Sequence, residues 1–500
     1  MPSLRHTFWI KAALALGLIV LSDLLFFKAR PGAGLGLAGL AAVTALVAGR
    51  PLLLRHRLSI FGLAAASAFA LLEIERATPL GMLGFAMALA VATLAPRAAA
   101  REDAWRWAIR LSMAGLKSVW GPASDLRRLL KARARTRRFK LTAIVLAAVL
   151  PVVGGLLFLW LFALANPVIE KAFADFNLPD ADLGRLIFWG AIGGAAWAVL
   201  RPRGLRWRVA RARPAVDFGL YSVTTASVTA ALVVFNALFA LQNGLDIAFL
   251  WSGAPLPHGV TLADYAHRGA YPLIATALLA GLFVLVFLRP GSDTGQARWP
   301  RILVTTWVAQ NLFLVASTVW RTLIYLQAYS LTRLRIAALM WMALVAVGLA
   351  LICWRLLKGK SASWLINANA LTAGAVLLAC SLVDLGSIAA AWNVRHAREL
   401  TGQGAALDLC YLRQLDGDAV VPLAELERRP LPADLRVRVT YTRRMLADRV
   451  FAHQGDWRSW RWRDARRLAR LHVLVGWPDL DLSGTTFAAD PDEKLCPERD

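Results

Sequence analysis

Cysteine is scarce, four in 500 residues. That is too few for a disulfide-built scaffold, and no two stand at the CxxC spacing of clustered zinc sites. Charge is scarce too, at 18% of residues, where ordinary soluble chains carry about 25%. Acid is the rarer sign, with 32 Asp and Glu against 57 Lys and Arg. Walker A, HExxH, GxSxG and EF-hand patterns are all missing, which removes the Walker-type phosphate-cradling, zinc-protease, serine-hydrolase and calcium-loop readings. No solenoid-type repeat is visible. What is abundant is apolar side chain, 58% AVILMFWYC, and a water-soluble chain does not have this composition.

Apolar runs recur almost end to end, each long enough at about 1.5 Å per residue to cross a hydrocarbon layer of about 30 Å. The sequence predicts an all-α polytopic membrane protein of about 11 transmembrane helices. They lie near residues 8–27, 32–48, 58–74, 79–95, 141–165, 184–200, 217–239, 271–288, 302–320, 336–354 and 364–390. A small C-terminal α+β domain is expected after them. The first run is expected to stay as an anchor and not to be cleaved as a leader peptide, because Lys11 and Asp23 interrupt it and Lys28-Ala29-Arg30-Pro31 offers no small-residue cleavage pattern.

The formal charge of +25 needs locating before it is interpreted. After residue 390 there are 18 basic and 17 acidic residues, so the excess belongs to the short loops between spans. That distribution is the footprint of membrane topology and argues against a nucleic-acid partner. Segments 1–11, 49–58, 97–140, 201–213, 289–301 and 355–362 hold 30 Lys and Arg, while the alternate turns hold 9. The basic set is expected in the cytoplasm, with the N-terminus inside and the tail in the periplasm of a bacterial inner membrane. Four regions follow: a four-span region at 1–96, a basic amphipathic linker at 97–140, a seven-span core at 141–390 with an outer loop at 240–270, and a tail at 391–500.

In the linker, Trp105, Ile109, Met113, Leu116 and Trp120 share one helical stripe edged by Arg106, Arg110 and Lys117. Such a helix lies on the cytoplasmic leaflet, and the linker is expected to meet anionic lipid headgroups. In the tail, 405–426 has helical spacing broken by Asp416-Gly417, Leu435 to Tyr441 alternates like a strand, and Trp462 to Leu474 is amphipathic. Cys410 and Cys496 both lie in the tail, where an oxidising compartment could join them. The 490–494 stretch is polar and expected to fray.

Ionised groups at membrane depth are costly and need partners. Asp384 lies six residues before the outer end of the last expected span, and Arg321, Arg333 and Arg335 crowd the turn between the ninth and tenth. Pairing Asp384 with Arg335 or Arg333 accounts for both oddities, with a substrate or proton site as the alternative. Asp23 is expected to pair locally with Lys28 or Arg30. Asn236, Gln310, Asn311, Asn367 and Asn369 suit amide hydrogen bonds between helices, and Gly190, Gly193 and Gly194 suit close backbone approach. His258, Asp264 and His267 share the outer loop and could hold a divalent metal, although solvated loop residues are the plainer reading. No cofactor is implied.

Several short motifs carry a family resemblance. Asp264-Tyr265-Ala266-His267-Arg268-Gly269, Ser330-Leu331-Thr332-Arg333-Leu334-Arg335, Asn393-Val394, Leu407-Asp408-Leu409-Cys410-Tyr411-Leu412 and Asp418-Ala419-Val420 resemble a group of bacterial inner-membrane proteins catalogued as a domain of unknown function, in the set numbered 4173. The resemblance covers about residues 140–465 and implies a multi-pass envelope protein without implying an activity. Three readings of function stand at this point. The first is a non-enzymatic scaffold, sensor or assembly partner that meets an envelope protein through its tail. The second is a transporter of a small solute. The third is a lipid-linked-sugar glycosyltransferase, whose early outer-loop acids would have to be Glu73 and Glu75.

Overall fold

The computed structural model describes residues 4–98, 102–119, 121, 124–125, 182–202, 224–252, 279, 297–476, 492 and 496. Among them the secondary structure is helical throughout. We number the helices α1 (Leu4–Phe26), α2 (Ala33–Gly49), α3 (Arg57–Glu75), α4 (Pro79–Leu94), α5 (Ala104–Val119), α6 (Leu183–Leu200), α7 (Thr225–Asp246), α8 (Arg298–Tyr329), α9 (Arg333–Lys358), α10 (Ala362–Leu382) and α11 (Leu385–Arg395). The tail adds α12 (Arg398–Thr401), α13 (Leu409–Gln414), α14 (Val420–Glu427), α15 (Ala433–Gln454) and α16 (Trp462–Val475). Eight of the described helices are long and apolar enough to cross a membrane, and α2 is a shorter apolar one. Nine expected spans thus coincide with helices, and those at 141–165 and 271–288 lie outside the described residues.

Seven of the described helices begin where the sequence supplies a side-chain oxygen for otherwise unpaired backbone N–H groups. Thr78, Asp182, Thr224, Thr332, Ser361, Asp384 and Asp408 each accept from the third residue onward, starting α4, α6, α7, α9, α10, α11 and α13. Gly359, at φ 61°, ends α9 in the left-handed conformation.

The chain divides into two compact units. The first comprises residues 1–100, 108–207 and 457–459, and in it α1 packs on α2 and α6, α2 on α3, and α3 on α4. The α3–α4 seam is built from Ala66, Ala88 and Ala92, all buried, so the helix backbones approach closely. At Gly62 a Cβ would lie 2.8 Å from the Ala92 nitrogen, which leaves no room for a side chain. The glycines of α6 behave differently from expectation. Gly193 faces the Ile19 side chain, whereas Gly190 and Gly194 have open space where a Cβ would go. Asp23 does not pair locally either: Arg185 Nε donates to its Oδ1 at 2.9 Å and Trp189 Nε1 does the same at 2.9 Å. Lys28 instead meets Asp182 at 2.6 Å. Capping of α6 by Asp182 sets Arg185 one turn in, within reach of α1.

The second unit comprises residues 101–107, 208–456 and 460–500. Here α7 and α8 run parallel with a constant offset. Asn236 Nδ2 donates to the Leu303 carbonyl at 3.0 Å, and seven residues on Asn243 Nδ2 donates to the Gln310 carbonyl at 3.1 Å. Beyond α7, Trp251 Nε1 donates to Ser317 Oγ at 3.1 Å. Asn236 and Gln310 therefore do join helices, while Asn311 and Asn369 turn back to carbonyls of their own helices.

The tail has no strand among its described residues, which corrects the α+β expectation. Leu435 to Tyr441 forms the start of α15. Leu435, Val439, Thr442, Leu446, Ala447 and Val450 are buried while Val437 is exposed, so the buried face follows a period of 3.6 and not 2. Leu435, Val439, Leu446, Ala447 and Val450 share one core with Leu412 of α13, Leu423 of α14, Leu471 of α16, Ala390 of α11 and Leu331. Asp492, expected to fray, is fully buried between Arg438 Nε at 2.6 Å and Arg413 at 3.3 Å. Four residues on, Cys496 is bonded to Cys410 with a Cα–Cα distance of 5.3 Å.

Candidate functional site

The last expected span, 364–390, is broken. α10 stops at Leu382, Val383 is extended, and the Asp384 side chain accepts from Ser387 N–H at 3.1 Å to start α11. An aspartate is a poor helix-interior residue and a good N-cap, so the chain turns here. The break lets Asp384 face the tail. Arg467 of α16 binds both Asp384 and Asp418, and its second Nη reaches Asp464 at 2.7 Å. Arg333, at the first position of α9, binds the other oxygen of Asp418. Arg463 lies 3.8 Å from Asp384 and donates to the Leu382 carbonyl at 3.0 Å, holding the end of α10.

These contacts form one clasp joining α9, α10, α11, the 416–419 turn and α16. A Cβ at Gly386 would fall on Asp418 Oδ2 and Arg333 Nη2, so a side chain there would have to displace the ends of both. Backbone contacts reinforce it. Asn393 Oδ1 accepts from Leu331 N–H at 2.6 Å and its Nδ2 donates to the Leu331 carbonyl at 2.9 Å. The Tyr411 hydroxyl accepts from Arg333 N–H at 2.8 Å. Burial disfavours the Arg467 charge, but Asp418, Asp384 and Asp464 together outweigh it and hold the guanidinium above its ordinary range. Burial pushes the Tyr411 hydroxyl up as well, against the pull of Arg333. Arginines and carboxylates alternate in near balance, an arrangement that holds elements together.

The residues singled out from sequence are distributed as follows. Asp384 and Arg333 share the clasp, joined through Asp418 and Arg467. Arg335 donates to the carbonyls of Tyr329 and Ser330 and lies over the Tyr325 ring at 4.7 Å. Those contacts support Ser330, a non-glycine residue at φ 73°. Arg321 belongs elsewhere: it pairs with Asp246, and both are buried between α7 and α8. Gln242 Nε2 donates to the same carboxylate at 3.1 Å. His258, Asp264 and His267 lie outside the described residues. Glu73 is buried and accepts from Thr78 N–H at 3.0 Å, bracing the turn before α4.

Three partners escaped the sequence reading. Asp246 was assigned to a loop because the expected span ended at residue 239, although it lies four residues past Gln242 on the same helical face. Arg467 and Asp418 belong to the tail, 83 and 34 residues beyond Asp384, and no local spacing joins them. Four of the five motifs that carry the family resemblance nonetheless converge on the clasp, through Leu331 and Arg333, Asn393, Tyr411, and Asp418; the fifth, 264–269, lies outside the described residues.

A family model described as a domain of unknown function, DUF4153, matches residues 58–426. The kind of family is the one expected; its number is 4153 where the resemblance suggested 4173, and the match begins and ends earlier than 140–465. No curated protein and no solved structure matches the chain.

Proposed function

The chain belongs to the DUF4153 family, and on that premise we propose that it is a non-enzymatic membrane scaffold of the bacterial envelope, carrying its helical tail on the extracytoplasmic side of the inner membrane. One observation carries the reading. The tail is fastened to the ends of α9 and α10 by the Arg333–Asp418–Arg467–Asp384 clasp, so it holds a fixed pose over the spans it follows. A catalytic or transport domain needs movable or reactive groups, and here the charged groups are spent on attachment.

The orientation draws support from two independent features. The Cys410–Cys496 bond suits an oxidising compartment, and the basic loops suit the cytoplasm. The exposed apolar side chains Val437, Phe451 and Val473 give the tail a surface for an envelope partner. Photo-crosslinking residues placed at Val437 and Val473 in intact cells are expected to give one discrete adduct, lost when Arg467 is replaced by alanine. Adducts with lipid alone, or fluorescence from a cytosol-dependent reporter fused after Asp500, overturn the reading.

A second reading, transport of a small solute, draws on the buried Asp246–Arg321 pair, since charges at membrane depth often line a pathway. Uptake altered by Asp246→Asn in a variant that still folds favours it.

A further inference from the structure

The two ends of the first unit differ in charge balance. At one end Arg185 has Asp23 and Lys28 has Asp182. At the other, Lys11 of α1, Arg50 after α2, Arg97 after α4 and Arg201 after α6 come together, and Lys11 lies within the field of all three arginines. Among the described residues the carboxylate paired with this group is Asp125, 3.5 Å from Arg201 and also bonded to Trp197 Nε1 at 3.1 Å. Four cations against one carboxylate leave a strong positive field. Burial, and behind it the charge of Arg97, pulls the Arg50 guanidinium down to about 10.

Directly beside this group lies an apolar cavity of about 400 Å³ between α4, α5 and α6. Leu83, Met87 and Leu94 line it from α4, Leu111 and Ala114 from α5, and Trp197 from α6. The cations are tied to its rim. Arg201 lines the cavity itself. Arg50 donates to the carbonyl of Thr93, a lining residue, at 3.3 Å, and Arg97 donates to that of Pro202, another, at 2.9 Å.

We infer that this cavity and its cationic rim bind one anionic diacyl phospholipid of the surrounding leaflet, an acyl chain entering between α4, α5 and α6 and the phosphate lying among Lys11, Arg50, Arg97 and Arg201. The apolar lining suits hydrocarbon and excludes a soluble phosphorylated metabolite as the natural occupant. The guanidinium groups suit phosphate oxygens, which accept paired N–H donors. Position suits a lipid too, because the rim sits where four apolar helices end and a leaflet places its headgroups.

The test uses the full chain in nanodiscs of phosphatidylcholine with a minor share of phosphatidylglycerol of identical acyl chains, followed by native mass spectrometry of the retained lipid. Phosphatidylglycerol is expected to be retained at least about tenfold over its share. In Arg97→Gln/Arg201→Gln that preference is expected to fall by roughly tenfold with phosphatidylcholine retention unchanged. Gly115→Leu, at a lining position with open space where a Cβ would go, fills the cavity and is expected to lower retention of both lipids. Equal retention of the two lipids by the unaltered chain, or an unchanged preference in the double variant, overturns the inference. So does displacement of the lipid by free glycerol phosphate with Gly115→Leu silent, which would mark an anion site without a chain. If the double variant fails to fold, Lys11→Gln is read in the same assay, with about a fivefold loss of preference expected and no loss overturning.

Discussion

At two places in the second unit, buried charge is compensated within the chain: Asp246 answers Arg321, and Asp384, Asp418 and Asp464 answer Arg333, Arg463 and Arg467. At one end of the first unit, Lys11, Arg50, Arg97 and Arg201 have Asp125 as their described carboxylate. The contrast teaches that identical residue types do two jobs here. Where partners come from the protein itself, charge holds helices in one pose. Where the protein withholds them, charge faces the membrane, which can supply the anion. The two arrangements respond oppositely to mutation, since deleting one member of a closed pair exposes its partner while deleting a surplus cation relieves repulsion.

The largest effect is expected at the closed pair with both members buried. Asp246→Ala removes the buried carboxylate that pairs with Arg321 between α7 and α8 and should cost about 3 to 5 kcal/mol. Thermal unfolding followed by dye labelling of the free thiols Cys353 and Cys380 reads this directly. An unchanged midpoint would mean that the Arg321 charge is met by water or lipid and that the contrast between the units is illusory.

A somewhat smaller loss, about 3 kcal/mol, is expected for Arg467→Ala, because the clasp is partly open to solvent at Arg333 and the remaining arginines can share the carboxylates. The loss should concentrate in the tail, so limited proteolysis of α16 should accelerate before the spans unfold. Uniform destabilisation instead would make the clasp an ordinary part of one cooperative fold.

How much of this was legible in the sequence follows from the range of each signal. Spans announce themselves because an apolar run needs no partner to be recognised, and nine expected runs meet helices. The α15 segment was misread because Leu-Arg-Val-Arg-Val-Thr-Tyr alternates over seven residues. Only the longer stripe from Leu435 through Val439, Leu446 and Val450 separates a period of 3.6 from one of 2. That Asp384 needs a partner follows from its place in an apolar run, but Arg467 joins it only through tertiary folding. The cationic rim was visible merely as four unrelated span ends; that α1, α2, α4 and α6 bring those ends together is a property of packing.

The smallest and most discriminating effect belongs to Arg50, whose guanidinium is pulled down to about 10 in the folded chain, below its ordinary range. Lowering a base on folding means that the unfolded chain binds more protons across that interval, so stability from this group rises with pH through it and is forfeited below. At neutral pH the Arg50 charge therefore works against the fold when no anion is near. Arg50→Gln should raise the unfolding midpoint slightly in phosphatidylcholine, by the equivalent of about 1 kcal/mol or less, and lower it by a similar amount when phosphatidylglycerol is present. A change of sign between the two lipids separates a cation that awaits an outside partner from one already satisfied. Arg467→Ala, tested the same way, should lose stability in both.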